Sequence, residues 1–457
     1  MKKIYLYKIL CVSILLGGAA ACKKPLDIDP KDEVEQTMAL NTSKDVEVAL
    51  VGAYSDLGNS TFYGGNVFLM ADFLANTDAI EWSGTFNELT QTINKQVLKS
   101  NSFVEDIWSR GYKTINDVNN VLGAIQKVDA AKSGAVSGGA KFIRGSVYFD
   151  LVRLFGKAYN DGTPTANPGV PVVLTPTTSI TNESYVSRAT VAAVYQQVIA
   201  DLTAAEAELP ATNGFFATKY AAAGMLARVY LQMGNYPAAA AAANRVINAP
   251  NFSLMPTYSQ AFPVVPAIGD ASQPGTNVAE DVFAMQVTTL TGANAFNTYY
   301  ASSSYSGRGD AVISADWIAE NYEEGDDRIN SFYEDGDMYT AKFANQYGNV
   351  KVIRLAEMYL IRAESNLRVG GLVGGNTPLQ DLSIIRSRAG LTTTSATLAD
   401  ILQERVRELA FEGFFLHDAK RTQTNIGNIA WNANALVFPI PQRETDANKN
   451  LIQNPGY

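Results

Sequence analysis

The sequence predicts a mainly α-helical fold, an α-solenoid of stacked helix pairs carrying large irregular loops. Three observations point there. The first is residues 218–246, TKYAAAGMLARVYLQMGNYPAAAAAANRV, where Leu226, Ala227, Tyr230, Tyr236 and Ala239 occupy tetratricopeptide-type positions. Units of this kind recur at about 34 residues and place small side chains where two helices approach closely. The second is RLAEMYLIRAESNLRVGG from Arg354, in which Ala356, Tyr359, Leu360, Ala363 and Leu367 make one apolar stripe at helical spacing. The third is a contrast: 156–187 and 251–310 are long, irregular stretches rich in turn residues. Segments of that length are longer than ordinary connections and read as loops mounted on a rigid scaffold.

Taken in chain order, the N-terminus comes first. MKKIYLYKILCVSILLGGAAACKKPLDIDP sets basic Lys2, Lys3 and Lys8 before an apolar run at 9–21, with small Ala20 and Ala21 before Cys22. Crossing a membrane takes roughly 18 or more apolar residues, and this run is shorter. The order basic, apolar, small, Cys is that of a secretory signal with a lipidation site at Cys22. Ala19 departs from the usual Leu or Val three residues before the cysteine. Residues 1–21 are thus read as signal, 22–42 as lipidated start and polar tether, and 43–457 as one domain. Its two parts meet at about residue 250. More than one acyl chain makes such an anchor stable.

Helices are expected at 43–57, 103–126, 141–154 and 191–209, then as the pair within 218–246. Further helices follow from Arg354 to Gly370, at 378–389 and at 398–411. The last has Leu398, Leu402, Val406 and Leu409 on one face. A short strand is expected at 281–287. Trp108 and Trp317 lie in helical patterns and are expected in the core.

Composition narrows the function. Loss of residues 1–21 removes three lysines and no acids, taking the net charge from −9 to −12. That argues against nucleic acid or anionic lipid as the main partner. His417 is the one histidine, so histidine metal clusters and nucleophile–histidine dyads have a single residue to draw on. Glu357 and Glu364 share a helix face with Arg354 and Arg368, and Glu404, Glu408 and Glu412 lie among Arg405 and Arg407. Nearby cations lower a carboxyl's pKa, which suits ion pairing between helices and not general acid catalysis. The acidic runs 325–328 and 334–337 read as solvated turns without the spacing of a calcium loop. No cofactor, metal or catalytic residue is expected.

Four segments in order resemble the SusD/RagB family of Bacteroidetes outer-membrane lipoproteins. They are CKKPLDIDP at the start, RLAEMYLIRAE from Arg354, ERVRELAFEGFFLHDAKR from Glu404 and FPIPQRETDANKNLIQNPGY from Phe438; GDDRI from Gly325 fits as well. Phe414 and Phe415 stand where that family commonly has His-Arg. The resemblance implies a SusD-like α–α superhelix with irregular ligand-facing loops. It implies a protein on the outer membrane, exposed at the cell surface, that does no chemistry. Such a protein captures a glycan, or an oligopeptide, for a SusC-like TonB-dependent transporter. A helical-repeat scaffold that binds only proteins is the alternative from another class.

The parts of the chain that face ligand in that family are rich in aromatic and polar residues here. Sugar rings have apolar faces that stack on Trp and Tyr, while their hydroxyls need amide, carboxylate or guanidinium partners. Tyr63, Asp78, Trp82 and Asn87 in one segment, with Tyr299, Tyr300, Tyr305 and Arg308 in the other, are the expected ligand contacts.

Overall fold

Helix α1 (Ser43–Leu57) starts where Thr42 and Asp45 cap each other's backbone N–H groups. The computed structural model describes residues 40–263 and 275–457, so the signal segment, Cys22 and the tether up to residue 39 lie outside the described residues. Helix α2 (Asn66–Ala75), strand β1 (Ile80–Trp82) and helix α3 (Asn87–Ile93) follow, ahead of the long helices α4 (Ser102–Gly123) and α5 (Ala130–Phe155). Helix α6 (Val191–Glu208) precedes the pair α7 (Lys219–Met233) and α8 (Tyr236–Ile247). Thr218 caps the start of α7 and Gly234, at φ +72°, ends it, as the Gly-Asn turn in the sequence requires.

After α9 (Tyr258–Ala261) the chain is less regular. It forms β2 (Asp281–Met285), α10 (Ala295–Tyr300), β3 (Ala311–Ile313), α11 (Ala315–Asn321), β4 (Phe332–Asp335), β5 (Asp337–Thr340) and β6 (Val350–Arg354). The strands make three antiparallel pairs, β1 with β3, β2 with β6 and β4 with β5. Then come α12 (Leu355–Val369), α13 (Pro378–Arg388), α14 (Leu398–Glu408), α15 (Phe415–Thr422) and α16 (Gln442–Ala447).

The solenoid is the series α1, α4, α5, α6, α7, α8, α12, α13, each packed on the next, with α14 also against α12. The predicted fold class is therefore the observed one. Helix α12 packs directly on α8, although about a hundred residues separate them in sequence. Ala239, Ala240, Ala242 and Ala243 on α8 are all buried, so the backbones approach closely. Arg228 on α7 completes the joint, donating through Nε and Nη2 to Glu357 at 2.8 and 2.7 Å.

Two boundaries and one whole helix differ from expectation. Helix α5 begins at Ala130 rather than near 141. Its first half, AAKSGAVSGGA, has three glycines, each costing up to about 1 kcal/mol of helix propensity. Packing overrides that cost: a Cβ on Gly138 would stand 2.9 Å from Leu209 Cγ, and one on Gly145 2.9 Å from Leu202 Cγ. Helix α14 stops at Glu408 rather than 411, because the chain turns through Phe411 at φ +62° and Gly413 at φ +80°. Helix α2 was not expected at all. Each of its residues is buried, so it lacks the polar face that gives a helix its periodicity.

Candidate functional site

Strand β1 carries Trp82, and the residues after it fold back over the indole. Trp82 Nε1 donates to Thr90 Oγ1 at 2.9 Å, and the Ser83 N–H donates to the Asp310 carbonyl at 2.9 Å. Gly84 closes this turn. Any Cβ there would lie 2.3 Å from the indole Cζ2 and 2.9 Å from the Asp310 carboxyl carbon. Gly84→Val is therefore expected to cost about 1–3 kcal/mol through overpacking. A thermal melt checks this, and ligand titration should show the site weakened in parallel.

Tyr299 comes from α10, whose following loop is pinned by buried Asn297, donating to the Tyr305 carbonyl at 3.1 Å and the Phe343 carbonyl at 2.8 Å. Arg308 returns over α10 through its N–H to the Thr298 carbonyl. The result is one aromatic face. Trp82 and Tyr299 have centroids 6.2 Å apart, Phe86 and Tyr299 6.1 Å, and Phe86 and Phe103 6.0 Å. The Arg308 guanidinium lies 4.9 Å above the Phe86 ring and donates to Asp310 at 2.6 Å. Burial pushes the Tyr299 phenol up to about 12, so it stays a hydrogen-bond donor at neutral pH. Tyr299 and Asp310 are themselves buried and the rings stand at 50–80° to one another, so half-buried Trp82 and exposed Phe86 offer the surface for stacking a sugar ring, and the exposed Arg308 guanidinium can bind its hydroxyls.

Of the eight residues expected to contact ligand, Trp82, Tyr299 and Arg308 come together here. Asn87 is exposed, directly after Phe86, at the start of α3, and Asp78 is exposed two residues before β1. Tyr305 is half-buried and edge-on to Tyr333, centroids 5.0 Å apart. Tyr63 and Tyr300 are corrected: both are fully buried. The Tyr63 hydroxyl donates to Asp150 at 2.5 Å, and that of Tyr300 faces Asp72 at 3.4 Å. Sequence reasoning missed Phe86, Phe103 and Asp310. Phe86 lies between two residues that were picked, so its type and place were signal enough, whereas Asp310 enters only through tertiary pairing of β1 with β3.

Asp72 also accepts from the Gly413 N–H at 3.0 Å, and burial lifts its carboxyl to about 8. Between its ordinary value near 3.8 and about 8 the folded chain holds a proton that the unfolded chain lacks. Stability from this group therefore falls as pH rises through that window. Asp72→Asn, which cannot ionise, is expected to gain on the wild type by roughly 1.4 kcal/mol per pH unit across that window, so melts of the two proteins should differ little near pH 4 and most above pH 8.

The remaining candidates are structural. Glu364 pairs with Arg368 and Arg421, and Glu357 pairs with Arg228 rather than Arg354. Burial opposes ionisation of Glu364, but the Arg421 charge outweighs it and holds the carboxyl below its usual range. His417 is buried inside α15, where desolvation with Arg153, Lys420 and Arg228 nearby keeps it neutral. Asp326, expected in solvent, is buried and paired with Arg328, whereas residues 334–337 are exposed as expected. Trp108 is buried, but Trp317 is only half-buried. Among the described residues, no group of three or more His, Cys, Asp or Glu side chains is placed to hold a metal ion, and no helix is long and apolar enough to cross a membrane.

A stacked helical scaffold with an aromatic, hydrogen-bonding face defines a binding protein of the helical-repeat class. Residues 26–231 match a family profile described as starch-binding, associating with outer membrane, and residues 289–457 match that of the SusD family. The chain belongs to the SusD/RagB family of outer-membrane-associated proteins. It is 25% identical to SusD-like protein P2 of Formosa agariphila, with all of both chains covered. It is similar to a solved SusD superfamily protein from Bacteroides thetaiotaomicron, at 26% identity and TM-score 0.77 over 91% of this chain and 100% of that one. A solved putative sugar binding protein from Bacteroides vulgatus matches at 26% identity and TM-score 0.79, over 92% and 99% of the two chains.

Proposed function

We propose that the protein captures an oligosaccharide at the cell surface and passes it to a SusC-like TonB-dependent transporter in the outer membrane. The aromatic face of Trp82, Phe86, Tyr299 and Phe103, with Arg308 and Asp310 at its edge, is the observation that carries the reading. Family membership supports it, as does the sugar-binding description of a relative similar over nearly the whole chain. Aromatic rings bind the apolar faces of sugars with little regard to linkage, so the face sets a ligand class and the polar edge selects within it.

Titration calorimetry of residues 23–457 against a panel of oligosaccharides and peptides tests the proposal. Heat with a glycan class supports it; heat only with peptides would replace it by oligopeptide capture. Silence across the panel, with a protein partner recovered instead, would make the chain a protein-binding scaffold. The anchor has its own test: Cys22→Ser is expected to move the protein from the membrane to the soluble fraction on cell fractionation, since no other covalent lipid site is read in the sequence.

A further inference from the structure

A cavity lies between the end of α2, helix α14 and the start of α15, and its lining shares no residue with the aromatic face. Its mouth included, it encloses about 610 Å³. Its interior proper is about 90 Å³, so a ligand is held partly in the mouth. Trp317, Phe411, Phe414 and Phe415 supply its aromatic walls, and Arg405 and Asp72 its polar groups.

Arg405 is the notable member. Its side chain is only 2% exposed. Nε and Nη2 donate to the Asp418 carboxylate at 2.9 and 3.2 Å, and Asp418 too stands in the wall. Nη1, on the side of the planar guanidinium turned away from Asp418, is buried and has no hydrogen-bond partner among the described residues. Leaving such a group unpaired is costly, more so when it is charged.

The charges around it are also unbalanced. Arg405 pairs with Asp418, Asp418 with Arg421, Arg421 with Glu364, and Glu364 with Arg368. Among the described residues this chain of pairs holds three guanidiniums and two carboxylates. The unpartnered Nη1 lies at one end of it. Asp72 does not offset the excess at neutral pH, because burial keeps its carboxyl protonated. A protonated carboxyl can itself donate to a ligand oxygen.

We infer that this cavity is a second binding site, taking a small organic acid with an aromatic body. The ring lies among Trp317, Phe411, Phe414 and Phe415, and the carboxylate accepts from Arg405 Nη1. The site is independent of the glycan reading, since neither its residues nor its chemistry draw on the Trp82 face.

The test uses residues 23–457 and 3-phenylpropionate as probe, with 3-phenylpropan-1-ol as its uncharged counterpart. Calorimetry should show saturable binding of the acid and at least about tenfold weaker binding of the alcohol, the loss of one charge-assisted hydrogen bond. Arg405→Lys should remove most of that preference. Because Arg405 also holds Asp418, a second variant is needed that spares the ion pairs. Val406→Trp, at a half-buried position in the wall, should plug the cavity and abolish binding while leaving the thermal melt and any glycan binding unchanged. Trp82→Ala should leave the acid's affinity unchanged. No saturable heat with the acid, equal affinity for acid and alcohol, or undiminished binding by a folded Val406→Trp protein would each overturn the assignment.

Discussion

Glu408→Ala is expected to lower the stability of the domain by about 3–5 kcal/mol, the cost of breaking a buried ion network by removing one partner. Glu408 is fully buried and shared by three arginines. Arg354 Nη1 stands 2.9 Å from its Oε1 and Arg328 Nη1 3.4 Å from its Oε2, and Arg388 donates to Oε1 as well. Burial opposes its ionisation, yet Arg388, Arg354 and Arg328 outweigh that effect and bring the carboxyl down to about 2. Native domains have only about 5–15 kcal/mol of stability, so the loss is a large share of the whole. Roughly 5 °C in melting temperature is the expected scale for a chain of this size. Because the folded value lies below the ordinary 4.5, the contribution is present above about pH 4.5 and is lost as pH falls towards 2. Wild-type melts should drop steeply through that window, and those of Glu408→Ala should drop less.

Trp82→Ala is expected to have the largest functional effect. The indole offers the broadest apolar surface on the face, and burying it against a ligand ring contributes about 2 kcal/mol. Roughly thirtyfold weaker glycan binding follows. The fold should survive, because Trp82 is only half-buried and its Nε1 bonds a single hydroxyl. Trp317→Ala, outside the face, should leave glycan binding as it was. A Trp82→Ala protein that binds glycans as the wild type does would put the site elsewhere.

Much of the scaffold was legible because its helices carry their own punctuation. Thr42, Thr218, Thr377 and Thr397 cap four of them, and Gly234 and Gly370 end two in the left-handed conformation. What escaped was set by packing alone, such as the glycine-rich start of α5 and the wholly buried α2. The site was half legible for a related reason. Tyr299 and Tyr300 are adjacent and chemically alike, but neighbours on a helix point in different directions. In α10 one reaches the aromatic face and the other the core, and a segment read as loop cannot say which.

The segments that gave the resemblance have little to do with that face. Arg328 from GDDRI, Arg354 from RLAEMY and Glu404, Glu408 and Glu412 from ERVRELAFEG all meet in one buried ion network. They identify a scaffold. The proposed ligand face is built from segments that the motifs do not reach, which is why the family was readable and the ligand was not.

The final segment has a consequence for how the chain acquires its shape. The Phe438 N–H donates to the Leu154 carbonyl, Asn454 Nδ2 to the Phe155 carbonyl at 2.9 Å, and Arg188 Nη1 to the Ile452 carbonyl at 2.9 Å. The end of α5, in the first half of the chain, is thus finished by residues made nearly three hundred positions later. During synthesis Arg188 can donate to the Phe155 carbonyl early, at 3.0 Å, but the rest of this edge waits for residues 438–454. Contacts between such distant positions slow folding, because a long stretch must be ordered before they form. A chain that cannot lock early stays threadable for longer, which suits a protein that must cross a membrane before it takes up its work.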